Sequence, residues 1–556
     1  MRDRPGPDEL YFLPLGGTGE IGMNLNLYGH AGAWLMVDLG ITFADATVPG
    51  VDVLMPDPAF IEERRADLAG LVLTHAHEDH IGAVGYLWPR LRCPVYATAF
   101  TKAMVYPKLV EAGIEDEVEI IEVPLSGRFS LGPFEIELIT LTHSIPEPNA
   151  LVIRTAAGTV LHTGDWKLDP EPLVGDNFDE RALRDLADES VLAMVCDSTN
   201  AMVDGDSGSE AEVRDTLMDL VGGLKNRVAV ACFASNVARI ETAAKVAEAH
   251  GRRVALVGRS MLRIYQAARD TGYLGDVPLP ISDEHAGYLP RDEVLLLCTG
   301  SQGEPRSALW RIANDDHPQA TLEEGDAVIF SSRIIPGNDV AIFRLQNLLV
   351  EKGIDVITDD DHFIHVSGHP AREELTQMYQ WVRPRIAVPV HGEARHLAEH
   401  ARLARACQVP EQIVGRNGTL IRLAPGPAEI ADHVPAGRLA LDGNRLLPLD
   451  STVLRGRRRM TFNGAVALTL VIGADHLFQG DPIVSAPGLL DPDVEDDKMA
   501  QVAEGVRDAL KRLPAAARRD DKSVKDAART AARRAFYRML GKRPVTEVHL
   551  VRLGGN

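Results

Sequence analysis

Short apolar runs separated by glycine-containing turns fill residues 1–206, and this pattern predicts a β-rich layer. Long helical patterns are scarce between these runs, so the strict strand–helix alternation of a doubly wound fold is not expected here. The predicted strands are residues 11–15, 25–28, 33–38, 70–73, 95–97, 134–140, 150–155, 159–162 and 192–196.

From residue 207 helical and strand patterns alternate, which predicts a separate α/β unit with a parallel sheet. Its predicted helices are 211–225, 236–250 and 261–271, and its predicted strands are 228–231, 253–257 and 294–298. A helix at 373–382 and a strand at 386–390 then indicate that the first pattern resumes. In the last part of the chain we expect strands 466–472 and 547–552 and helices 498–512 and 523–540.

A chain of 556 residues is too long for one hydrophobic core, because single cores rarely grow beyond about 300 residues. Prolines and glycines between residues 424 and 450 are typical of an interdomain connection. The predicted division is a first domain in two parts, 1–206 and 366–424, an inserted α/β domain, 207–365, a linker, 425–459, and a C-terminal α+β domain, 460–556.

Composition indicates an ordinary soluble protein, with 45% hydrophobic and 25% charged residues. No apolar run approaches the ~20 residues of a membrane span, and the first ten residues lack the apolar core of a signal peptide. The five cysteines are scattered without a CxxC pair, which favours buried, reduced thiols over disulfides. We therefore expect a cytoplasmic protein with no membrane partner.

The formal net charge of −22 argues against a nonspecific coat of nucleic acid, since a globally acidic protein repels phosphate at long range. A local basic channel remains compatible with this charge. Bound divalent cations would also offset part of the negative charge at an active site.

The strongest chemical signal is the segment from Thr74 to His80, which directly follows the apolar run 70–73. Its candidate ligands are His75, His77, Asp79 and His80. Imidazole nitrogen and carboxylate oxygen both bind zinc at about 2.0 to 2.2 Å, so these four side chains can serve two adjacent ions. A solvated histidine-rich loop is the alternative, and three histidines and an aspartate in this order disfavour it.

Three further candidates each follow an apolar run: His143, Asp165 and His391. Taken alone, each is more often an ordinary loop or turn residue. Together with the cluster they complete a two-ion site in which Asp165 bridges. The first ion would be held by His75, His77 and His143, and the second by Asp79, His80 and His391. Two such ions lower the pKa of a shared water and stabilise an in-line displacement at phosphorus, which predicts metal-hydroxide attack on a phosphodiester.

The segment from His75 to His80 resembles the HxHxDH signature of the metallo-β-lactamase superfamily, and His143, Asp165 and His391 match its remaining ligands. The resemblance implies an αββα sandwich and two Zn²⁺ ions, with Mn²⁺ or Mg²⁺ as possible substitutes. Asp197, His369 and His391 resemble the further motifs of the β-CASP nucleases, whose α/β domain is inserted between the first two. Histidine rather than valine at the third motif is similar to the RNA-processing branch.

Separated stretches along nearly the whole chain are similar to the bacterial ribonuclease J family. The resemblance implies a 5′ to 3′ exonuclease with some endonuclease activity in RNA processing and mRNA decay. It also implies a preference for single-stranded RNA with a 5′-monophosphate and a homodimer or homotetramer. The matching stretches are residues 15–24, 74–80, 197–201, 233–239, 299–305, 331–338 and 365–370 and the C-terminal domain.

The same resemblance implies roles for individual residues. The catalytic residues would be Asp79, Asp197 and His369, with His369 protonating the leaving 3′ oxygen and Asp197 orienting it. The phosphate of the bound nucleotide would contact His365, Val366, Ser367, Gly368 and His369. Ser235 and Asn236 open a predicted helix whose N-terminus suits a 5′ phosphate, although a plain helix cap is as good an interpretation. A structural Ca²⁺ would map to the Gly50 carbonyl, Asp52 and Asp442.

Two further patterns carry less weight. Residues 17–22 satisfy GxGxxG, but the alternating residues 24–28 that follow predict a strand instead of the helix a dinucleotide site needs. The predicted helix 523–540 carries a basic face with interleaved aromatics, either an RNA-guiding surface or, more simply, a solvated helix face. The residues concerned are Lys522, Lys525, Arg529, Arg533, Arg534, Phe536, Tyr537 and Arg538.

Two other functions compete with a ribonuclease. A metallo-hydrolase of small esters, thioesters or lactams would share the metal signature, but it would not need the inserted domain with His369. A catalytically silent RNA-binding subunit would share the fold, and the presence of all seven candidate ligands disfavours it.

Overall fold

The computed structural model describes residues 4–491 and 493–553. The chain forms two compact units. The first contains the residues up to Thr42 and Met55–Arg438, and the second contains Phe43–Leu54 and the chain from Leu439 onward.

Two mixed sheets form the framework of the first unit. The eight-stranded sheet has the order Glu429–His433, Thr419–Ala424, Leu10–Gly16, Leu25–His30, Ala33–Val37, Leu68–Val72, Val95–Ala97 and Ile120–Glu122. The seven-stranded sheet has the order Arg128–Leu131, Phe134–Thr140, Asn149–Thr155, Gly158–His162, Ala193–Asp197, Ile386–Val390 and Glu411–Gln412. A short pair joins Thr18–Gly19 to Gly392–Glu393.

The two sheets share one hydrophobic core. Phe12 and Val37 enter it from the first sheet, and Ile153, Val195 and Val388 enter it from the second. The opposite face of the seven-stranded sheet is covered by helices, so its central strands are apolar on both faces and read as continuous apolar runs. The helices of this layered part are Ala59–Glu62, Glu78–Ile81, Val84–Leu91, Ala99–Ala112, Glu180–Asp185, Arg372–Val382 and Ala394–Ala406, with 3₁₀ turns at Arg65–Asp67 and Leu186–Glu189.

The inserted segment forms its own parallel sheet, as its strand–helix alternation predicts. The strand order is Arg253–Val257, Val294–Cys298, Val228–Ala231, Ala327–Phe330 and Asp355–Ile357. The helices are Glu210–Gly223, Val237–Ala249, Arg259–Asp270, Asp283–Ala286, Ala308–Ala313 and Asp339–Glu351, and a 3₁₀ turn spans Arg291–Glu293.

The second unit contains a three-stranded sheet of order Ile483–Ser485, Ala465–Ile472 and Val545–Arg552. Every second residue of its central strand is buried, so one face of the sheet is apolar. The helix Asp521–Leu540 supplies Val524, Ala528, Ala532 and Phe536 to the same core, at the four-residue spacing of one helix face. The other helices are Thr452–Asn463, Asp496–Lys511 and Ala515–Arg518. A further sheet has the order Arg445–Pro448, Arg438–Asp442, Val53–Pro56 and Thr42–Phe43.

Two segments differ from the sequence pattern. The first domain contains a 14-residue helix, Ala99–Ala112, in a region where few helical patterns are expected, and this helix continues through Pro107. The proline-rich segment 425–459 carries strands and the start of a helix, and Leu439, Ala440 and Leu454 within it are buried. Its prolines and glycines interrupt the strands too often for a periodic pattern to form.

No helix among residues 4–491 and 493–553 is long and apolar enough to cross a membrane. All five cysteines are free thiols, as their scatter in the sequence predicts. Cys93, Cys196, Cys232 and Cys298 are buried, and burial raises the pKa of each of these thiols. They are therefore packing residues rather than nucleophiles.

Candidate metal centre

The candidate ligands lie at one edge of the seven-stranded sheet and its partner. Gly158–His162, Ala193–Asp197 and Ile386–Val390 are neighbouring parallel strands, so their carboxyl ends meet at the same edge. Asp165, Asp197 and His391 lie at or just beyond these ends. The seven predicted ligands, although spread over more than 300 positions, are thus brought to one place.

Three histidines converge in the first group. His77 Nδ1 lies 3.1 Å from His75 Nε2 and 3.0 Å from His143 Nε2. Ligand atoms bound to one ion at about 2.0 to 2.1 Å are roughly 2.9 to 3.4 Å apart in octahedral or tetrahedral geometry. The two measured distances therefore fit a single divalent ion, and all three nitrogens lie within 4.8 Å of one another.

The second group forms beside the first. His391 Nε2 lies 3.2 Å from Asp79 Oδ2, and His80 Nε2 lies 3.5 Å from the same oxygen. Asp165 Oδ2 lies 3.1 Å from His80 Nε2 and 3.9 Å from His75 Nε2, so this carboxylate reaches both groups. Each group, taken with Asp165, has ligand atoms within 4.8 Å of one another. The donor set suits divalent metal ions, and it matches the predicted division of ligands.

A carboxylate that the sequence pattern did not single out supports the second group. Asp38 is fully buried and accepts hydrogen bonds from the Thr74 backbone N–H at 2.8 Å and the Thr74 hydroxyl at 2.9 Å. Its Oδ2 also lies 2.7 Å from His80 Nδ1. A hydrogen bond to the outer nitrogen fixes the ring and its tautomer, which leaves Nε2 for a metal. Asp38 is the last residue of a predicted strand, and this position is the only feature of the sequence that could have indicated its role.

The protonation of the first ligand group favours metal binding, whereas the Asp165 carboxylate raises the pKa of His80 and His391, so these two rings must release a proton before they can bind an ion. Burial lowers the pKa of His75 and His143 well below the ordinary value and that of His77 to about 4, so these rings are neutral at pH 7, as ligands must be. Burial alone would raise the pKa of the Asp165 carboxyl. The charges of His391 and His80 outweigh burial and lower it, so Asp165 is ionised.

A second ionisable pair borders the metal groups. His369 Nδ1 lies 2.7 Å from Asp197 Oδ2, and Asp197 Oδ1 accepts hydrogen bonds from the Thr199 N–H at 2.8 Å and the Thr199 hydroxyl at 2.7 Å. The Thr199 hydroxyl also lies 2.9 Å from His391 Nδ1. Burial would lower the pKa of His369, but the carboxylates of Asp197 and Asp165 outweigh it and raise the pKa. Thr199, which links this pair to His391, lies in the matching stretch 197–201, but the sequence assigned no role to it.

The segment 365–369 lies against this pair. His143 Nδ1 hydrogen-bonds to the Gly368 carbonyl oxygen, and Asn200 Nδ2 donates to Ser367 Oγ at 2.8 Å and to the His369 carbonyl at 3.0 Å. Val366 is buried, so only its backbone is available to a ligand. His365 is half-buried, its Nδ1 has no partner among the described residues, and burial together with the charge of Arg239 lowers its pKa to about 3.

Replacement of Gly368 by alanine tests the close approach of this segment to the centre. An added Cβ would lie 2.6 Å from His143 Cε1 and Nδ1, so the ring must move. We expect a roughly 10- to 100-fold loss of catalytic rate, since displacement of reacting groups by about 1 Å has costs of this size. Steady-state kinetics and bound-metal analysis check this, with Gly223→Ala, where the added carbon meets no atom within 4 Å, as the control. Unchanged kinetics in Gly368→Ala would show that the ring tolerates the shift.

Ser235 and Asn236 of the inserted domain are predicted to bind a 5′ phosphate, and the side chain of one of them is already used in a helix cap. Asn236 caps the helix Val237–Ala249, accepting a hydrogen bond from the Arg239 N–H at 2.9 Å and donating to Glu210 Oε1 at 3.2 Å. The cap interpretation therefore describes its side chain. Ser235 is half-buried and makes no side-chain hydrogen bond to the described residues.

The residues of the predicted calcium site lie in the second unit. Asp442 Oδ1 accepts a hydrogen bond from Arg457 at 2.6 Å, and Asp442 Oδ2 accepts one from Arg445 at 2.7 Å. A Cβ added to Gly50 would lie 3.7 Å from the same Arg457 guanidinium. Ca²⁺ at this position would compete with two guanidinium groups, so the residues do not fit a calcium ion.

The glycine-rich turn also serves the centre. Gly17, Gly19 and Gly22 have φ angles of 81°, 88° and 88°, and the next regular element is the strand Leu25–His30. The Gly22 N–H lies 3.3 Å from His391 Nε2, and a Cβ here would lie 3.4 Å from Asp79 Cβ. The GxGxxG pattern therefore forms a turn beside the candidate metal ligands, as the strand-like residues after it predict.

Four family models match successive parts of the chain. They describe the metallo-β-lactamase superfamily at residues 23–220, the ribonuclease J β-CASP domain at 225–349, a Zn-dependent metallo-hydrolase RNA specificity domain at 353–411 and the ribonuclease J C-terminal domain at 452–553. The resemblance expected from the motifs is confirmed, and so is the fold class. The exact domain boundaries stay a prediction.

Curated relatives match over most of their length. The chain is 45% identical to a ribonuclease J of Sinorhizobium meliloti over 99% of both chains. It is 41% identical to one of Mycolicibacterium smegmatis, covering 92% of this chain and 94% of the relative, and 36% identical to one of Thermus thermophilus, covering 85% and 84%. A crystal structure of a protein of unknown function from Enterococcus faecalis aligns with a TM-score of 0.51 at 18% identity over 74% of this chain and all of that one, which shows the shared fold alone.

Proposed function

Because the chain belongs to the ribonuclease J family and is a metal-dependent ribonuclease, we propose that it is a two-zinc 5′ to 3′ exoribonuclease that prefers a 5′-monophosphate end and also cleaves internally. Its role would be RNA processing and mRNA decay in the cytoplasm. The observation that carries the proposal is the Asp197–His369 pair, whose histidine lies 3.9 Å from the bridging Asp165 carboxylate.

The seven ligands would hold the two ions. His75, His77 and His143 form one set, Asp79, His80 and His391 form the other, and Asp165 reaches both. Bound divalent ions supply an activated water and stabilise negative charge at phosphorus. The protein's own contribution is to keep these side chains in place through hydrogen bonds such as the one that His80 Nδ1 donates to Asp38.

His369 is placed to act as the general acid. Asp197 holds Nδ1 of the ring, which leaves Nε2 to carry a proton toward the leaving 3′ oxygen. Asp197 is itself held by the two Thr199 hydrogen bonds, so the orientation of the imidazole does not depend on the substrate.

The 5′ phosphate would lie near Ser235, His365 and Ser367. His365 Nδ1 is a buried nitrogen without a partner among residues 4–491 and 493–553. Burial and the charges of Arg239 and Arg333 lower its pKa, while Glu210, the ion-pair partner of Arg239 at 2.9 Å, opposes them, so this nitrogen is neutral at pH 7. Gly368 lets the backbone come close to a bound phosphate, as it does to His143.

The deciding experiment compares RNAs that differ only at the 5′ end. Purified protein is incubated with the same labelled RNA bearing a 5′-monophosphate, a 5′-triphosphate or a 5′-hydroxyl, and with a circular form. We expect mononucleotides to be released fastest from the monophosphate, and slow cutting of the circle. Release at equal rates from all linear ends would contradict the end preference.

Metal removal tests the cofactor. Chelation is expected to abolish RNA cleavage, and parallel additions of Zn²⁺, Mn²⁺ and Mg²⁺ identify the ion that restores it. Two bound ions per subunit are expected by elemental analysis, and one ion or none would contradict the dinuclear assignment. A homodimer or homotetramer is part of the same proposal, and light scattering of the purified protein measures the subunit number.

A further inference from the structure

The second unit contains a cleft lined by arginines from three different elements. Arg459 and Asn463 come from the helix Thr452–Asn463, Arg529 and Arg533 come from the helix Asp521–Leu540, and Arg543 lies in the turn before the last strand. Thr546 completes the set, and the volume is about 410 Å³. These six residues define the arginine cleft.

Three of the four guanidinium groups of the cleft contact neutral groups. Arg533 Nε donates to the Pro544 carbonyl at 3.2 Å, and Arg529 Nε donates to the Thr546 carbonyl at 3.3 Å. The Arg543 guanidinium lies 4.7 Å from the centre of the Tyr537 ring. Carbonyl and aromatic contacts of this kind orient a guanidinium without neutralising it.

Most of these charges lack an acidic partner. Arg529 pairs with Asp526 at 2.6 Å, whereas Arg459, Arg533 and Arg543 have no ion pair with any described residue. Residues 451–556 contain nineteen Lys and Arg against thirteen Asp and Glu, a net charge of +6 in a chain whose total is −22. Like charges repel, so uncompensated arginines gathered in one cleft of an acidic protein indicate a polyanionic ligand.

We propose that the arginine cleft binds the sugar–phosphate backbone of RNA, as a second contact for the substrate of the proposed ribonuclease. Guanidinium groups form paired hydrogen bonds to phosphate oxygens, and Asn463 helps to position Arg543 by accepting a hydrogen bond from its backbone N–H at 3.2 Å. The cleft is far larger than one phosphate group and contains four guanidinium groups. It can therefore bind several successive phosphates of one RNA chain. The contact is to the backbone, so it accepts any RNA sequence.

Paired charge reversals test the cleft in the full-length protein with its metals. The variant Arg459→Glu/Arg533→Glu changes two cleft residues, and Arg455→Glu/Arg512→Glu changes two exposed arginines of the same unit that do not line the cleft. Both variants carry the same net charge. The probe is a fluorescent, hydrolysis-resistant phosphorothioate RNA of about 20 nucleotides, and binding is measured by anisotropy at several salt concentrations.

The cleft variant is expected to raise the Kd for this RNA about tenfold or more. Its plot of log affinity against log salt is expected to be shallower by about 1.4, since each lost phosphate contact removes about 0.7 from the slope. The control variant is expected to bind as the wild type does. Arg459→Gln/Arg533→Gln, which avoids added negative charge, is expected to give a smaller loss in the same direction.

Three results would overturn the proposal. Equal losses of RNA affinity in the cleft and control variants would indicate an effect of overall charge. Wild-type affinity in the cleft variant would show that the cleft does not bind RNA. If the cleft variant lost affinity only for inorganic phosphate or adenosine monophosphate, and not for RNA, the cleft would be a site for small anions. Cleavage of unmodified RNA by the wild type is measured separately. If the wild type binds RNA through the cleft but does not cleave it, the result contradicts the proposed function and not the cleft.

Discussion

Replacing Asp165 by asparagine is expected to lower RNA cleavage by at least about 10³-fold, because its carboxylate is the one group that reaches both sets of ligands. Asparagine keeps the volume and removes the negative charge that would hold the two ions together. Single-turnover cleavage of 5′-monophosphorylated RNA measures the effect, and elemental analysis is expected to show reduced metal content. RNA binding is expected to persist, because the other RNA contacts remain.

The matched control is Asp188→Asn, which makes the same chemical change at an exposed position of the same domain. Wild-type rates are expected for this control. Asp79→Ala and His80→Ala, each confined to the second ligand set, are expected to abolish hydrolysis as well while leaving RNA binding largely intact. Full activity in Asp165→Asn with two ions still bound would show that the bridge is not needed.

The convergence of the seven candidate ligands could be predicted because the type of each residue and its position after a strand are independent observations. A single histidine at the end of an apolar strand, such as His391, is weak evidence for a metal ligand. Strand ends at one edge of a sheet must meet, so the position of each ligand after its strand predicts their convergence. The grouping of seven side chains around Asp165 in the structure follows from this rule and from the order of the parallel strands.

The supporting residues were not predictable in the same way. Asp38 and Thr199 act through hydrogen bonds that hold His80 and His391, and aspartate or threonine at a strand end is too common to indicate a role. The arginine cleft could not be predicted from a sequence pattern either. It joins Arg459 to Arg533 and Arg543 across 84 positions, and only the packing of two helices around a turn brings them together.

Replacing His369 by glutamine is expected to reduce the rate of the chemical step about 10²- to 10⁴-fold, the usual contribution of a general acid, and to leave metal content unchanged. Glutamine cannot deliver a proton to the leaving 3′ oxygen. Asp197→Asn is expected to cause a loss of similar size, because an amide no longer selects the proton position on His369. If the two residues act as one unit, the double variant will be little worse than either single variant.

A substrate that does not need the acid separates this role from a structural one. An RNA whose leaving 3′ oxygen is replaced by sulfur releases a thiolate, which departs without protonation. We expect this RNA to restore most of the rate of His369→Gln and little of the rate of Asp165→Asn, since a sulfur leaving group does not replace a metal ligand. Equal slowness of His369→Gln on both RNAs would assign the histidine to substrate or metal positioning, because loss of a proton donor alone predicts recovery on the sulfur substrate.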